Sequence, residues 1–312
     1  MSTAFYTHPD CRLHEMGRGH PECPQRLDAI ADHLRATGLD VALEMRDAPN
    51  VNMTDVALAH TAGYVAELSD CLEQVGATGT PRALDPDTVA GAGTWAAVQR
   101  AAGAAVAATD AVLDGAIENA FCAVRPPGHH ATRDTAMGFC FFNNVAIAAR
   151  HALDVRGLKR VAIVDFDVHH GNGTEDIIAN DERVLMVSIF QHPLYPGSGI
   201  HPLGKNMVNV PVPPYTRGPE VREMIQTLWM PRLEAFRPEM VFVSAGFDAH
   251  REDELGQLGL VEADYEWITR RIKEVADRHA KGRIVSCLEG GYALGALARS
   301  VAVHLRVLAG LA

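Results

Sequence analysis

Basic residues are scarce in this sequence of 312 residues, which carries 28 Lys and Arg against 39 Asp and Glu, for a formal net charge of −11. The lack of a basic cluster argues against binding to nucleic acid or to an anionic membrane surface. An acidic surface would suit a cationic substrate, such as an amine or a lysine-rich peptide, but it also simply keeps a protein soluble. Charge therefore excludes classes of partner without selecting one.

Paired cysteines and long apolar runs are missing as well. The six cysteines are scattered and form no Cys-x-x-Cys pair, which argues for a reducing compartment and against a disulfide framework. The N-terminus lacks the apolar core of a signal peptide. The longest Ala- and Val-rich run, Trp95 to Leu113, contains Gln99, Arg100 and Asp110 and therefore predicts a buried helix and not a membrane span. We expect a cytoplasmic protein.

Apolar, β-branched runs alternate with helix-like segments along the chain. The runs that predict strands are Thr3–Tyr6, Ala120–Val124, Val161–Asp165, Val184–Ile189, Met240–Ser244 and Ile284–Leu288. The segments that predict helices are Gln25–Thr37, Ala62–Gln74, Thr88–Asp114, Asn144–His151, Pro219–Glu234, Glu262–Ala280 and Leu294–Leu311. This alternation predicts an α/β fold with a parallel sheet covered by helices on both faces. Because no repeat or linker interrupts the chain, we expect one domain over residues 1–312.

Reactive side chains follow four of these strands at the point where each strand ends. The four segments are Arg125–His130, Asp165–His169, Ala245–His250 and Glu289–Tyr292. In a parallel α/β sheet, ligands bind beyond the carboxyl ends of the strands. Four such loops meeting at one edge of one sheet indicate an active site.

A metal site is the first function that these loops predict. Asp165, Asp167 and His169 alternate along a strand and so share one face, where two carboxylates and an imidazole need a cation. Asp167, His169 and Asp248 form an oxygen and nitrogen ligand set that leaves a position open, which is typical of catalytic zinc and also fits Fe(II) or Co(II). Any one of them alone would more often be a turn cap or a buried core residue, but the combined set favours a metal.

Three further side chains are candidates for proton transfer and charge stabilisation. His129 and His130 can supply a general base and an electrostatic partner, with Asp165 and Asn172 as the nearest candidates to orient them. Tyr292 follows two glycines and can donate to a developing oxyanion. Considered alone, His129 and His130 would more often be an ordinary surface pair, and Tyr292 would more often be an ordinary half-buried tyrosine.

Five motifs together resemble the zinc-dependent histone deacetylase superfamily, from about Phe5 to about Leu308. They are RPPGHHA (Arg125–Ala131), GFCFFNN (Gly138–Asn144), VDFDVHHGNG (Val164–Gly173), SAGFDA (Ser244–Ala249) and EGGY (Glu289–Tyr292). The segment Gly19–Leu27 resembles the first active-site loop of the class II branch. That branch includes bacterial histone deacetylase-like amidohydrolases and acetylpolyamine amidohydrolases.

The resemblance implies the arginase/deacetylase fold, a single α/β domain around a mainly parallel eight-stranded sheet. It implies that Asp167, His169 and Asp248 bind zinc. It also implies that His129 and His130 are the tandem catalytic histidines, the second acting as general base and the first electrostatically, and that Tyr292 binds the substrate carbonyl. The reaction implied is hydrolysis of an acyl amide to a carboxylate and a free amine.

Further positions follow from the same resemblance. Asp165, together with Asp167, His169 and Ser188, matches a structural potassium site. Residues assigned to the substrate channel are Gly138, which would contact the substrate amide, the aromatic pair Phe139 and Tyr195, Leu255, and Pro21 of the first loop. Tyr195 replaces a more usual phenylalanine, and Asn172 stands where class I enzymes have an aspartate, as is common in class II.

The substrate is an acyl-lysine or a small acylated amine on this interpretation. Leu255 occupies the position at which polyamine-specific relatives of one branch carry a glutamate, and the short segment Thr78–Asp87 lacks a long dimerising insertion. Acidic Asp85, Asp87 and the run Glu252–Glu254 keep an acetylpolyamine substrate open as the alternative. The sequence does not decide whether the chain forms a homo-oligomer. A dimanganese ureohydrolase and a non-catalytic binding protein are the remaining rivals.

Overall fold

Eight strands form one sheet in the computed structural model of the protein, which describes residues 2–312. The strands, including a separate two-stranded hairpin, are β1 (Thr3–Thr7), β2 (Leu43–Asp47), β3 (Arg82–Ala83), β4 (Val89–Ala90), β5 (Asn119–Cys122), β6 (Val161–Asp165), β7 (Val184–Gln191), β8 (Met207–Val212), β9 (Met240–Ala245) and β10 (Ile284–Leu288). The order in the large sheet is β2-β1-β5-β10-β9-β6-β7-β8, and every neighbouring pair is parallel. The small hairpin pairs β3 with β4 in antiparallel fashion.

Helices flank the sheet. They are α1 (Gln25–Thr37), α2 (Met53–Val56), α3 (Ala62–Thr78), α4 (Thr94–Leu113), α5 (Asn144–Arg150), α6 (Asn172–Ile178), α7 (Gly218–Met224), α8 (Met230–Phe236), α9 (Glu262–His279) and α10 (Leu294–Leu308). Helices α1, α9 and α10 pack together as one group, and α3, α4 and α5 as another. No helix within residues 2–312 is long and apolar enough to cross a membrane.

The central strands are buried along their whole length. All residues of β6, β7, β9 and β10 are buried, as expected where helices cover both faces of a parallel sheet. Twelve residues of α4 are buried, seven of them alanine or glycine, so this helix approaches the sheet closely. The predicted fold class, with its eight-stranded sheet, is confirmed.

Several elements differ from the predicted ones, and the short helices α2 and α6 were not predicted. The two outer strands, β2 and β8, escaped prediction because their sequences, LEMRD and MVNVPV, mix exposed polar residues and a proline with apolar ones. The helix predicted from Thr88 begins at Thr94, because Val89–Ala90 pairs in the hairpin. The helix predicted over Pro219–Glu234 is divided into α7 and α8 by a π-helical turn.

The strand register brings the predicted loops to one edge of the sheet. Asp165, the last residue of β6, pairs with Ser188 on β7 and Ser244 on β9. Leu288, the last residue of β10, pairs with Ala245 at the end of β9. Because β5, β6, β9 and β10 are parallel and contiguous in this part of the sheet, their carboxyl ends face the same space.

Candidate active site

The three predicted metal ligands lie together beyond the ends of β6 and β9. Nδ1 of His169 is 3.1 Å from Oδ1 of Asp167 and 3.1 Å from Oδ2 of Asp248. One ligand atom from each residue lies within 4.8 Å of the others. Both aspartates are buried, and within residues 2–312 no second group of His, Cys, Asp and Glu side chains has this arrangement.

The electrostatics of this cluster suit a cation. Burial and the neighbouring Asp167 raise the pKa of Asp248 to about 7, because two buried carboxylates oppose each other's ionisation. Although burial opposes its protonation, contact with both aspartates raises the pKa of His169 to about 10. A Cβ on Gly290 would lie 2.1 Å from Oδ2 of Asp248, so the close approach of this loop requires glycine. The donor set and its excess negative charge therefore fit a divalent metal ion.

The tandem histidines stand beside the cluster, at the end of the loop that follows β5. Nδ1 of His129 is 3.1 Å from Oδ2 of Asp165, and Nδ1 of His130 is 2.7 Å from Oδ1 of Asn172. The centroids of the two imidazole rings are 4.0 Å apart. Each histidine thus has a partner on Nδ1, which leaves Nε2 of each ring for other contacts.

The two histidines have opposite pKa shifts. Burial alone would lower the pKa of His129, but Asp167 and Asp165 raise it well above its ordinary value. Burial, followed by the charges of His129 and His169, lowers the pKa of His130 well below its ordinary value. One histidine is therefore biased toward the charged form and the other toward the neutral form, which is the division that acid and base roles require.

Tyr292 enters the site from the loop after β10. Its ring packs edge-on against Phe139, with centroids 6.0 Å apart, and the guanidinium of Arg26 lies 5.0 Å from its centre. Burial raises the pKa of Tyr292 well above its ordinary value, so its hydroxyl stays protonated and can donate.

These groups line one cavity of about 230 Å³. The lining residues are Asp87, Pro127, His129, His130, Gly138, Phe139, His169, Leu194, Tyr195, Leu255, Gly290 and Tyr292. The cavity therefore brings both histidines, one predicted metal ligand and the tyrosine to a common space whose wall is largely apolar.

Four of the five predicted channel residues lie in this wall, and Pro21 does not. The Tyr195 ring contacts His130 edge-on, with centroids 5.1 Å apart. Gly138 has φ +57°, and a Cβ there would lie 2.5 Å from Cδ2 of His130. Pro21 does not line the cavity; from its loop, His20 packs edge-on against Phe139, with ring centroids 4.7 Å apart.

Asp165 and Ser188, two of the residues predicted to bind potassium, are adjacent in the structure but have different hydrogen-bond partners. Asp165 and Ser188 are both buried and directly paired across β6 and β7. Oδ1 of Asp165 accepts a hydrogen bond from the backbone N–H of Asp167 at 3.1 Å, and the Ser188 hydroxyl lies 3.5 Å from Oδ1 of Asn209. A monovalent cation at this position stays a prediction.

Glu289 supports the site in a way that the sequence did not reveal. Its buried carboxylate accepts hydrogen bonds from the backbone N–H groups of Gly128 at 2.7 Å and His129 at 3.1 Å, and from the Ser244 hydroxyl at 3.2 Å. This carboxylate therefore fixes the backbone of the histidine loop. The available signal was an acidic residue directly after an apolar strand, which is costly to bury unless it is bonded.

The acidic run after Asp248 is divided between surface and interior. Glu252 and Glu254 are exposed, and Glu252 pairs with Arg299 at 2.8 Å. Asp253 between them is buried and bonds to backbone N–H groups, so it does not present its charge to a cationic substrate as the sequence suggested.

Two buried arginines connect the first loop to the site. Arg26 donates to the carbonyl of Gly291 at 2.7 Å, and Arg125 begins the histidine loop. Both bind Glu22, at 3.1 Å from Nη1 of Arg26 and 2.6 Å from Nη2 of Arg125. The sequence marked Glu22 only as part of a family loop, since its partners are distant in the chain.

Several proteins similar to this chain are named as deacetylases or amidohydrolases. A family model described as a histone deacetylase domain matches residues 20–308. The histone deacetylase-like amidohydrolase of Pseudomonas aeruginosa is 37% identical over 281 residues, which cover 88% of this chain and 73% of that protein. A mouse polyamine deacetylase is 35% identical over 337 residues, covering 99% of this chain and 48% of that protein.

The solved structures agree. A crystal structure titled as the HDA15 HD domain has a TM-score of 0.92 and 33% sequence identity, covering 100% of this chain and 89% of that chain. Fold and relatives thus define a metal-dependent deacetylase acting on acylated amines. The chain belongs to the histone deacetylase family, which confirms the resemblance carried by its motifs.

Proposed function

We propose that this chain removes acetyl or other acyl groups from lysine side chains or from small acylated amines, using the cavity described above. The observation that carries this proposal is the convergence of His129, His130, His169 and Tyr292 on one cavity. We further propose that residues 1–312 form a single catalytic domain of the class II type and that it works in the cytoplasm, without nucleic acid or membrane partners.

Asp167, His169 and Asp248 would hold the catalytic metal, with zinc as the favoured ion and Fe(II) or Co(II) as alternatives. Such an ion, when bound, polarises a substrate carbonyl and lowers the pKa of a water to about 7. Asp165, with Ser188 beside it, is proposed to serve a structural potassium ion.

His130 is proposed as the general base. Burial keeps it neutral, so it can take the proton of the attacking water. His129, held at Nδ1 by Asp165 and biased toward its charged form, stabilises the negative charge that develops nearby. Once protonated, a histidine of this pair delivers a proton to the departing amine.

Tyr292 is proposed to donate its hydroxyl hydrogen to the substrate oxygen. Its raised pKa keeps that proton in place at neutral pH, and Arg26 and Phe139 hold the ring. A preorganised donor of this kind is typically worth about 3–4 kcal/mol of the barrier.

An acyl-lysine or a small acylated amine is the favoured substrate. Phe139, Tyr195 and Leu255 make an aromatic and apolar wall that suits the methylene chain of a lysine. Leu255 offers no charge to a second amine further along a substrate.

An acetylpolyamine is the second candidate, because Asp87 lies in the cavity wall. An anionic side chain there would attract a second cationic amine of the substrate. The mouse relative is named as a polyamine deacetylase, which also favours an acetylpolyamine substrate. A ureohydrolase would need two adjacent metals, and two equivalents of manganese per chain would favour it over both candidates.

The deciding experiment compares rates on the zinc-loaded enzyme for acetyl-lysine peptides, acetylpolyamines and longer acyl-lysines. We expect the acyl-lysine peptides to react faster than the acetylpolyamines. A preference for acetylpolyamines above about tenfold, which is ~1.4 kcal/mol in transition-state binding, would reverse the order of the two candidates. A zinc-bound protein inactive on the whole panel would favour a binding function.

A further inference from the structure

Asp253 connects two parts of the cavity wall through its carboxylate. We propose that it is a positioning residue for the reaction, holding Tyr292 and Leu255 in one fixed relation. This inference rests on the proposed function, since it assigns Tyr292 a role in turnover.

The contacts of Asp253 are all with backbone N–H groups. Oδ2 accepts hydrogen bonds from Tyr292 at 2.6 Å and from Ala293 at 3.0 Å, and Oδ1 accepts one from Leu255 at 3.0 Å. The side chain is buried, and no ion pair joins it to a cation within residues 2–312. A buried carboxylate is costly unless such bonds satisfy it, so its three bonds define where the three backbone groups lie.

Tyr292 needs this support because two glycines precede it. Gly291 has φ +119°, a conformation open to glycine and strained for other residues. At the first of these glycines, the loop is held by the hydrogen bond that the N–H of Gly290 donates to Asp167 at 2.8 Å. After them, Asp253 holds it at the N–H of Tyr292 and of the next residue. The tyrosine is therefore fixed between a predicted metal ligand and Asp253.

Leu255 is held by the other oxygen of the same carboxylate. Both Leu255 and Tyr292 line the cavity, one on the loop after β9 and the other on the loop after β10. Because one side chain accepts from both loops, a displacement of either loop is transmitted to the other. Asp253 thereby couples the wall that contacts the substrate chain to the donor that contacts its carbonyl.

A simpler role for Asp253 is as a cap for α10, which begins at Leu294, directly after Ala293. A cap alone would change the stability of the protein and leave the turnover of the folded enzyme intact. A positioning role predicts a loss of kcat that depends on the presence of the Tyr292 hydroxyl. The two roles are therefore separable by kinetics.

The test is a double-mutant cycle on the zinc-loaded enzyme with an acetyl-lysine peptide. Asp253→Asn keeps the size of the side chain but replaces one acceptor oxygen with an NH₂ group that cannot accept. We expect kcat to fall roughly ten- to hundredfold, since a displacement of about 1 Å can cost roughly 10²-fold. KM should change little. In the Tyr292→Phe background, the same substitution should cost about twofold or less.

Glu254→Gln, an exposed neighbour on the same loop, is the matched control and should leave kcat unchanged. Zinc content and Tm are measured for every variant. Equal losses from Asp253→Asn in both backgrounds, or an unchanged kcat in the folded single variant, would overturn the proposal. Should Asp253→Asn fail to fold, the cycle is run with Asp253→Glu, which keeps the charge but moves it by one methylene; additive losses there would also overturn the proposal. An inactive parent enzyme would refute the proposed function itself.

Discussion

Glu22→Gln removes the charge of a buried carboxylate that binds two buried arginines. Glu22 is fully buried and lies 2.6 Å from Nη2 of Arg125 and 3.1 Å from Nη1 of Arg26. Glutamine keeps the size of the side chain but leaves both guanidinium groups without their counter-charge. Because Arg125 begins the histidine loop and Arg26 binds the tyrosine loop, the change acts where the two loops join.

The pKa of Glu22 supplies the magnitude. Burial opposes ionisation, but Arg125, with His14 and Arg26, lowers the pKa of Glu22 from 4.5 to about 2. A shift of this size corresponds to about 3 kcal/mol in favour of the folded state at neutral pH. Breaking a buried ion pair by removing one partner costs roughly 3–5 kcal/mol, which agrees. We therefore expect Glu22→Gln to lower the free energy of unfolding by about 3 kcal/mol at pH 7.

The assay is urea unfolding of the parent and the variant between pH 7 and pH 3. Since the folded-state pKa lies below the unfolded one, the stabilisation by Glu22 is complete above pH 4.5 and declines as the pH falls toward about 2. The difference between the two proteins should narrow in the same window. Glu15→Gln, a change at an exposed position seven residues earlier in the chain, should alter stability little. A loss below about 1 kcal/mol at pH 7 would refute the reasoning, because the cost of an unpaired buried charge would be absent.

Three further changes test the site. Tyr292→Phe should lower kcat roughly 10²–10³-fold in steady-state assays, while Tyr215→Phe at an exposed position leaves it intact; near-normal turnover would remove Tyr292 from the mechanism. Asn172→Asp places a carboxylate where the amide oxygen is 2.7 Å from Nδ1 of His130, so it should raise the pKa of that histidine. The acidic limb of the kcat/KM profile against pH should then move to higher pH, and an unchanged limb would show that Asn172 does not influence the general base. Leu255→Glu should raise the ratio of acetylpolyamine to acetyl-lysine rates about tenfold, and an unchanged ratio would place the second amine elsewhere.

The centre of the fold follows from sequence more readily than its edges. The strands β6, β9 and β10 are nearly continuous apolar runs because helices cover both faces of the sheet, so the local sequence predicts them without knowledge of their partners. The edge strand β8 carries Pro211 and half-exposed residues, so its identity depends on its pairing with β7. Edge positions are decided by tertiary contacts that a local pattern does not contain.

The position of a residue along the chain made the reactive groups of the site predictable. It did not reveal the buried carboxylates that hold those groups in place. Asp167, His169 and Asp248 follow strand ends, and the parallel sheet alone brings strand ends together. Glu22 pairs with Arg125 and Asp253 accepts from the backbone of Tyr292, and these partners are distant in the chain. Glutamate and aspartate are also residue types that are usually exposed, so nothing in the sequence indicated their burial. Only the structure shows that Asp253 points inward while its neighbours Glu252 and Glu254 face solvent.

Hydrolysis of an acetyl-lysine peptide as a function of bound zinc tests the central claim most directly. Chelated protein should be inactive, and activity should rise with added zinc and saturate at one equivalent per chain. Asp248→Asn should lose both the bound zinc and the activity. Full activity in the metal-free protein, or activity that requires two equivalents of manganese, would contradict the assignment of a single-metal deacetylase.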